Sequence, residues 1–330
     1  MRRRAAIGIL GGAAASSLLL PFAARAQQLA PPVIGFLSPR APGDAPELIA
    51  AFRQGLKDTG FAEGQNVAIE YRFAENHNER LPALAADLVH RQMAVIAATT
   101  TPAALAARAA TATIPIVFEM GGDAVQLGLV ASLNRPGGNV TGVTQMNVQI
   151  APKRLELLHD LVPAATVMAR LVNPANAAIA ESQSGGLLSA AHTLGLELHV
   201  LNASTESNFD AVFASLIQLR AGGLVIDSDP FFTARQEQLA ALTVRHAVPA
   251  IYENREFAAA GGLVSYGGGI TEAYRLAGVY TGRILKGDKP ADLPVQQATK
   301  VELFLNLKTA KTLGLTVPLS LLGRADEVFE

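Results

Sequence analysis

Cysteine is absent from all 330 residues, which excludes thiol nucleophiles, thiolate metal sites, structural disulfides and a lipid-bearing N-terminal cysteine. Tryptophan is absent too, and aromatic residues make up only 5% of the chain, so little surface exists for stacking a ring. Neither sign of charge is in excess, with 27 Lys and Arg against 28 Asp and Glu. No positive field is therefore available to hold nucleic acid or an anionic membrane by charge alone. After Phe22 no apolar stretch approaches the roughly 20 residues that span a bilayer. What is present is a chain 50% hydrophobic and 17% charged, which suits about two globular domains with substantial cores and is too apolar for disorder.

The N-terminus carries Arg2, Arg3 and Arg4, an apolar run from Ala5 to Phe22, and then Ala24-Arg25-Ala26 before Gln27. A charged start, an apolar middle and a small-x-small triplet predict an export signal spanning residues 1–26 and cleaved after Ala26. Gly8, Gly11, Gly12 and Pro21 interrupt the run and argue against a permanent membrane anchor. The arginines leave the general and the twin-arginine export routes both open. Cleavage removes four arginines and no acid, so the mature chain has a net charge of about −5 and should be soluble. An exported chain without cysteine fits the bacterial periplasm, where the sequon Asn139-Val140-Thr141 carries no glycan.

From Val33 onward, short apolar runs alternate with helical patterns closed by glycine. Val33–Leu37, Val67–Phe73, Val95–Ala98 and Ile116–Glu119 read as strands, and Glu47–Thr59, Arg80–Arg91 and Pro102–Ala110 as the helices between them. After Arg135-Pro136-Gly137-Gly138-Asn139 the pattern resumes. Strands are expected at Val140–Thr144, Val167–Val172, Glu197–Leu201, Leu224–Ile226 and Ala250–Tyr252, again separated by helices. Ser207-x-x-Asp210 and Thr233-x-x-Gln236 resemble capping boxes that open two of those helices. Such alternation predicts an α/β fold with two doubly wound, parallel-sheet lobes joined by a hinge. The tail, with a strand at Leu263–Tyr266, a helix at Tyr274–Lys286 and alternation at Val301, Leu303 and Leu305, is expected to complete those two sheets. The chain would then cross between lobes more than once.

In open α/β sheets ligands bind beyond the carboxyl ends of strands, where helix N-termini present free N–H groups. In the first lobe those segments are Ser38-Pro39-Arg40, Thr99-Thr100-Thr101-Pro102 and Glu119-Met120-Gly121-Gly122-Asp123. The threonine run leads into a proline at a helix start, so hydroxyls and amides converge on one anion-sized spot. In the second lobe they are Asn173-Pro174, Asp227-Ser228-Asp229-Pro230 and Tyr252-Glu253-Asn254. Acids there suit an ammonium or sugar hydroxyls, and Tyr252 with Phe231 or Phe232 could form an apolar wall. Ordinary capping and turn formation explain the same threonines, Asn173 and Asp229 without any ligand.

Enzyme signatures are missing. Gly267-Gly268-Gly269 lacks dinucleotide-binding spacing, and neither a phosphate-binding G-x-x-x-x-G-K-[ST] loop nor a G-x-S-x-G elbow occurs. The histidines stand singly with no H-E-x-x-H, so no metal and no cofactor is expected.

The residues assembled so far resemble the ABC transporter substrate-binding proteins of the tryptophan/tyrosine type. The resemblance runs over nearly the whole chain. It is carried by the leader ending Ala23-Ala24-Arg25-Ala26-Gln27-Gln28, by Ile34-Gly35-Phe36-Leu37-Ser38 and by Phe52-Arg53-Gln54-Gly55-Leu56-x-x-x-Gly60. The segments from Leu133 to Val143, Arg283-Ile284-Leu285-Lys286-Gly287 and Asn306-Leu307-Lys308-Thr309-Ala310 complete it. The stretches after Leu127 and at Gly267–Ile270 depart from the family pattern.

The resemblance implies a type I periplasmic-binding-protein fold that closes on a small solute and presents it to an inner-membrane ABC permease. Crossings near Gly142, Gly267 and Gln297 would divide it into 27–142 plus about 268–297, and 143–267 plus about 298–330. On this reading Ser38, Thr99, Thr100, Thr101 and Glu119 serve one wall of the interlobe cleft and Asn173, Asp227 and Tyr252 the other. The expected occupant is amino-acid-like or carboxylate-bearing, the expected state is a monomer, and no covalent reaction is expected. Two rivals share the same cleft: an exported α/β enzyme, distinguished by turnover, and a sensory protein that docks to a receptor instead of a permease.

Overall fold

Apolar runs with no polar alternation mark strands buried on both faces, as parallel sheets covered by helices require. In the computed structural model, which describes residues 31–297 and 300–330, the first five strands behave largely this way. They are β1 (Val33–Ser38), β2 (Ala68–Phe73), β3 (Val95–Thr99), β4 (Ile116–Met120) and β5 (Val140–Thr144). β3, β4 and β5 are buried at every position, whereas β2, at the sheet edge, is half-buried throughout. The helices α1 (Pro46–Asp58), α2 (Leu81–His90) and α3 (Thr101–Ala110) connect β1 to β2, β2 to β3 and β3 to β4. The export signal expected over residues 1–26 lies outside the described residues.

The chain then builds a second sheet. After α4 (Ala151–Leu161) come β6 (Val167–Val172), α5 (Ala177–Thr193), β7 (Glu197–Asn202), α6 (Phe209–Gln218) and β8 (Leu224–Ile226). α7 (Pro230–Thr233), α8 (Gln236–Arg245), β9 (Ala250–Tyr252), α9 (Arg255–Ala259) and β10 (Val264–Gly268) follow. α10 (Ile270–Leu285) returns to pack on α1, and the two-residue strand β11 (Gln296–Gln297) joins the first sheet beside β5. β12 (Val301–Asn306), α11 (Leu307–Thr312), α12 (Leu319–Leu322) and β13 (Glu327–Phe329) finish the second sheet.

The first sheet has the order β11-β5-β4-β3-β1-β2 and the second β13-β12-β10-β9-β8-β6-β7. Both belong to one compact unit covering residues 32–330. The two-lobed α/β architecture read from the sequence is the one observed. One expectation needs correcting: the second sheet is not wholly parallel. β12 runs antiparallel to β10, with Gly268 opposite Val301. A parallel return needs a crossover of a dozen or more residues, whereas the link from β11 to β12 is a few residues long. The chain therefore re-enters at the end where β10 left and must run backwards.

Successive strand residues face opposite helical layers, giving four hydrophobic clusters, one on each face of each sheet. Phe36, Val95, Ala97 and Val117 point toward α1 and α10, and Leu37, Ile96, Ala98 and Phe118 toward α2 and α3. α1 and α10 approach so closely that a Cβ at Gly55 would lie 1.8 Å from the Arg275 carbonyl oxygen. One at Gly278 would lie 2.1 Å from that of Phe52.

Local capping differs from the sequence reading in two places. The capping box before α6 is formed by Thr205 and Asn208, two residues earlier than Ser207 and Asp210. The Thr233 hydroxyl, expected to open α8, instead bonds the Asp229 carbonyl and the Tyr252 hydroxyl. α10 starts at Ile270, four residues before the expected Tyr274, because Ile270 packs into the cluster beneath α1. Among the described residues no helix is long and apolar enough to cross a membrane.

Candidate functional site

The carboxyl ends of β1, β3, β4 and β5 in one sheet meet those of β8 and β9 in the other, and the space between them is a cleft. The cavity it encloses measures about 40 Å³, far below the roughly 300–1,000 Å³ usual for small-molecule sites, so an occupant the size of an amino acid needs the two walls to part. Arg40, Thr100, Thr101, Glu119, Met120 and Gln145 form the first wall, and Ile179, Ser228, Asp229, Pro230, Thr233 and Glu253 the second. Pro102 and Ile270 add to the lining.

The first wall is built around a strained turn. Thr100 has φ 86° and ψ 159°, a region that a β-branched residue enters only under constraint. The constraint is visible: its N–H donates to the Glu119 carbonyl at 2.6 Å, and its carbonyl accepts the Ala104 N–H of α3. The turn brings the Thr100 and Thr101 hydroxyls and the first turn of α3 to the cleft. Both hydroxyls are buried without a partner, and so is Nε of Arg40. Buried polar groups are otherwise almost always paired, so three orphans around one cavity mark a place prepared for a polar occupant. A helix N-terminus favours negative charge there. Arg40 also reaches across the cleft, its Nη1 donating to the Pro230 carbonyl at 3.5 Å.

The second wall is held by buried ionic and amide networks. Arg154, fully buried, donates to the Asn147 and Tyr266 carbonyls and to Ser228 Oγ. Ser228 donates in turn to Glu253. Asp229 accepts from Asn173 Nδ2, Asn176 Nδ2 and the Phe231 N–H, each at 2.9 Å. Asp229 thus already accepts three hydrogen bonds, whereas Glu253 lines the cleft with Ser228 donating to its carboxyl.

Burial sets the protonation of these groups. It pushes the Glu119 carboxyl up to about 8, against the opposing pull of Arg40 and Gln145 and with a further push from Glu253. At neutral pH Glu119 is therefore mostly a neutral acid. Burial also raises Glu253, which the charge of Arg154 counters, and Asp229, which its amide donors counter. Burial works against the Arg40 cation, but the Tyr274 hydroxyl beside it outweighs that, so the guanidinium stays charged.

Of the residues singled out in the sequence, Thr100, Thr101 and Glu119 line this cleft. The structure places the other five elsewhere. Ser38 accepts from the Arg40 N–H and lies behind it, and Thr99 donates to the Leu37 carbonyl at 3.3 Å. Asn173 is spent on Asp229 and on capping Ala175. Asp227 forms a buried two-bond pair with Arg170, at 2.8 and 2.7 Å, and burial still pushes it up to about 6. Tyr252 packs into the cluster under α6 and α8, its hydroxyl on Thr233. Sequence reasoning misses Arg40, Gln145, Ser228 and Glu253 as lining residues, although Arg40, Ser228 and Glu253 stand in the strand-end segments it marks. Among the described residues no three His, Asp or Glu side chains could hold a metal ion.

Comparison with known proteins gives a consistent result. Residues 43–329 match the family described as ABC transporter substrate binding protein. A tyrosine-binding protein of Clostridioides difficile (strain R20291) is 27% identical over 264 residues, covering 80% of this chain and 75% of that protein. An ABC domain in complex with L-Trp from Streptococcus pneumonia superposes with a TM-score of 0.80 at 23% identity, over 91% of this chain and 100% of that one. A ligand-free, open substrate binding protein with adhesive properties from Clostridium difficile superposes with a TM-score of 0.62 at 23% identity, over 90% of this chain and 99% of that one.

Proposed function

This chain belongs to the ABC transporter substrate binding proteins, and on that premise we propose that it is the periplasmic solute-binding component of an ABC uptake system, capturing an amino-acid-like solute between its lobes. The observation that carries the reading is the trio of unpartnered buried groups, Arg40 Nε and the Thr100 and Thr101 hydroxyls, facing a second wall that Glu253 lines. A carboxylate fits the first wall and an ammonium fits Glu253, so a zwitterion satisfies both. Met120, Ile179 and Pro230 offer an apolar surface to its side chain. The L-Trp complex and the tyrosine-binding relative are amino-acid binders and support this class of solute.

A solute that touches both walls shifts the open–closed equilibrium by its differential affinity for the closed form. Export with cleavage after Ala26, a monomeric mature chain and docking of the closed form on an inner-membrane permease complete the proposal. So does its division into 27–142 plus about 268–297, and 143–267 plus about 298–330. Binding rather than turnover is the act, and the family relatives named above are binding proteins.

The test is a thermal-shift screen of the chain from Gln27, unfolded and refolded to strip carried ligand, against amino acids, aromatic acids, short organic acids and sugars. A selective rise in melting temperature with an amino acid, without consumption of it, is the expected result. Consumption of the compound would replace the reading with an enzymatic one, and a response confined to sugars would overturn the solute class.

A further inference from the structure

Glu119, next to last in β4, lies deep in the cleft, only 2% exposed, and its surroundings have a fixed polarity. The Gly268 N–H donates to Asn147 Oδ1 at 2.9 Å, and Asn147 Nδ2 donates to Gln145 Oε1 at 2.8 Å. Gln145 is thereby left to donate through Nε2 to Glu119 Oε1. A backbone donor at one end orients every amide along the line. Among the described residues this is the only hydrogen bond to the Glu119 carboxyl group, so Oε2 is uncommitted.

The groups facing that carboxyl are Arg40 after β1, Tyr274 on α10 and Glu253 after β9, with Asp229 beyond Arg40. Arg170 and Asp227 form a buried ion pair, whereas among the described residues no cationic nitrogen lies within ion-pair distance of the Glu119 carboxyl. An ionised Glu119 would be a buried charge held by one hydrogen bond and offset only at longer range by Arg40. Its elevated affinity for a proton agrees with this.

We propose that Glu119 acts as a neutral carboxylic acid that donates its proton from Oε2 to the carboxylate of the bound solute, beside Arg40 and Thr100, so that capture is linked to one proton. The inference rests on the carboxylate-bearing solute of the proposed function. An acid–carboxylate hydrogen bond is short and charge-assisted; an ionised Glu119 in the same place repels the solute. Where Glu119 is already protonated, binding is independent of pH. Once it ionises, each binding event must first take up a proton, and affinity falls toward tenfold per pH unit.

The experiment is calorimetric titration of the full mature chain from pH 6 to 9.5 with L-leucine, L-tyrosine and 4-methylpentanoate as probes. The last lacks an ammonium and so isolates the carboxylate. Affinity is expected to be level in mild acid and to weaken above about pH 8. At pH 8.5, heats measured in phosphate and in Tris should report uptake of up to one proton. In Glu119→Gln, whose amide donates at every pH, the slope and the proton uptake seen with 4-methylpentanoate should both disappear, whereas the two amino acids keep the slope of their own ammonium. The wild-type proton uptake decides the matter even where that variant fails to fold. With 4-methylpentanoate, level affinity to pH 9.5, affinity that strengthens with pH, or a slope retained in Glu119→Gln would overturn the inference while leaving the proposed function standing. Failure of all three probes to bind at pH 6 would instead overturn the carboxylate solute itself, and this inference with it.

Discussion

Replacing Gly55 with alanine sets two effects of opposite sign against each other. On intrinsic helix propensity alone the change should stabilise α1 by about 1 kcal/mol. In the structure, the new Cβ would sit 1.8 Å from the Arg275 carbonyl oxygen of α10, whereas a carbon–oxygen contact needs roughly 3.3 Å. The helices must therefore separate by about 1.5 Å. The obstructing atom belongs to the backbone, so no rotamer change can relieve it. Overpacking of this kind costs about 1–3 kcal/mol, and with no local escape a net loss of about 2 kcal/mol is expected, equivalent to a fall of about 3 °C in Tm. The displaced α10 also carries Tyr274, which steadies Arg40, so solute affinity should fall with stability. Gly185→Ala is the control. It lies in α5 with open space around its Cβ, and should raise stability by about 1 kcal/mol. Denaturant unfolding and a binding titration read both variants. A Tm for Gly55→Ala that is unchanged or raised would refute the packing described for these helices.

Other perturbations separate support from contact. Arg170→Leu leaves Asp227 buried without its partner and should cost about 3–5 kcal/mol in urea unfolding; a loss below 1 kcal/mol would show the pair to be solvated. Thr100→Gly removes a β-branched residue from φ 86°, so stability should rise by about 1 kcal/mol while solute affinity falls, and a loss of both would place the strain elsewhere. The pH dependence of stability follows from Glu119, whose folded value near 8 exceeds the ordinary 4.5. The folded chain then holds more protons than the unfolded one, so stability is greatest in mild acid. It should decline by on the order of 1 kcal/mol per pH unit between pH 5 and 8. Thermal melts of Glu119→Gln should show a shallower slope, the remainder coming from Asp227, Asp229 and Glu253, which burial also raises. A wild-type Tm that rises over this interval would contradict the protonation assigned to Glu119.

Most of the fold was legible in the sequence because parallel strands covered on both faces leave an unmistakable mark, as at Val95–Thr99 and Ile116–Met120, where every residue is buried. Reversed β12 was not legible. Its alternation at Val301, Leu303 and Leu305 fits either direction, and only the short link from β11 decides. In the cleft, strand ends in the sequence point to the right segments but often to the wrong member of each. Thr99 and Tyr252 are the last residues of their strands, so their side chains still belong to the sheet. Thr100 and Glu253, one position on, have left the pleat and enter the crevice. The same shift of one or two positions separates Asp227 from Ser228 and Ser38 from Arg40. Gln145 follows the same rule after β5. Ile179 could not be found this way, since it reaches the cleft from α5 rather than from a strand end.

The central claim is that an amino acid is held, unchanged, with its carboxylate against Arg40, Thr100 and Thr101. Calorimetric titration of ligand-stripped wild type and Arg40→Met with L-tyrosine, L-tryptophan and L-leucine tests it most directly. One-to-one binding of at least one of these to the wild type is expected, weakened roughly ten- to a hundredfold in Arg40→Met, as loss of a charged hydrogen bond requires. Equal affinity in the two proteins, or no binding of any of the three, would contradict it.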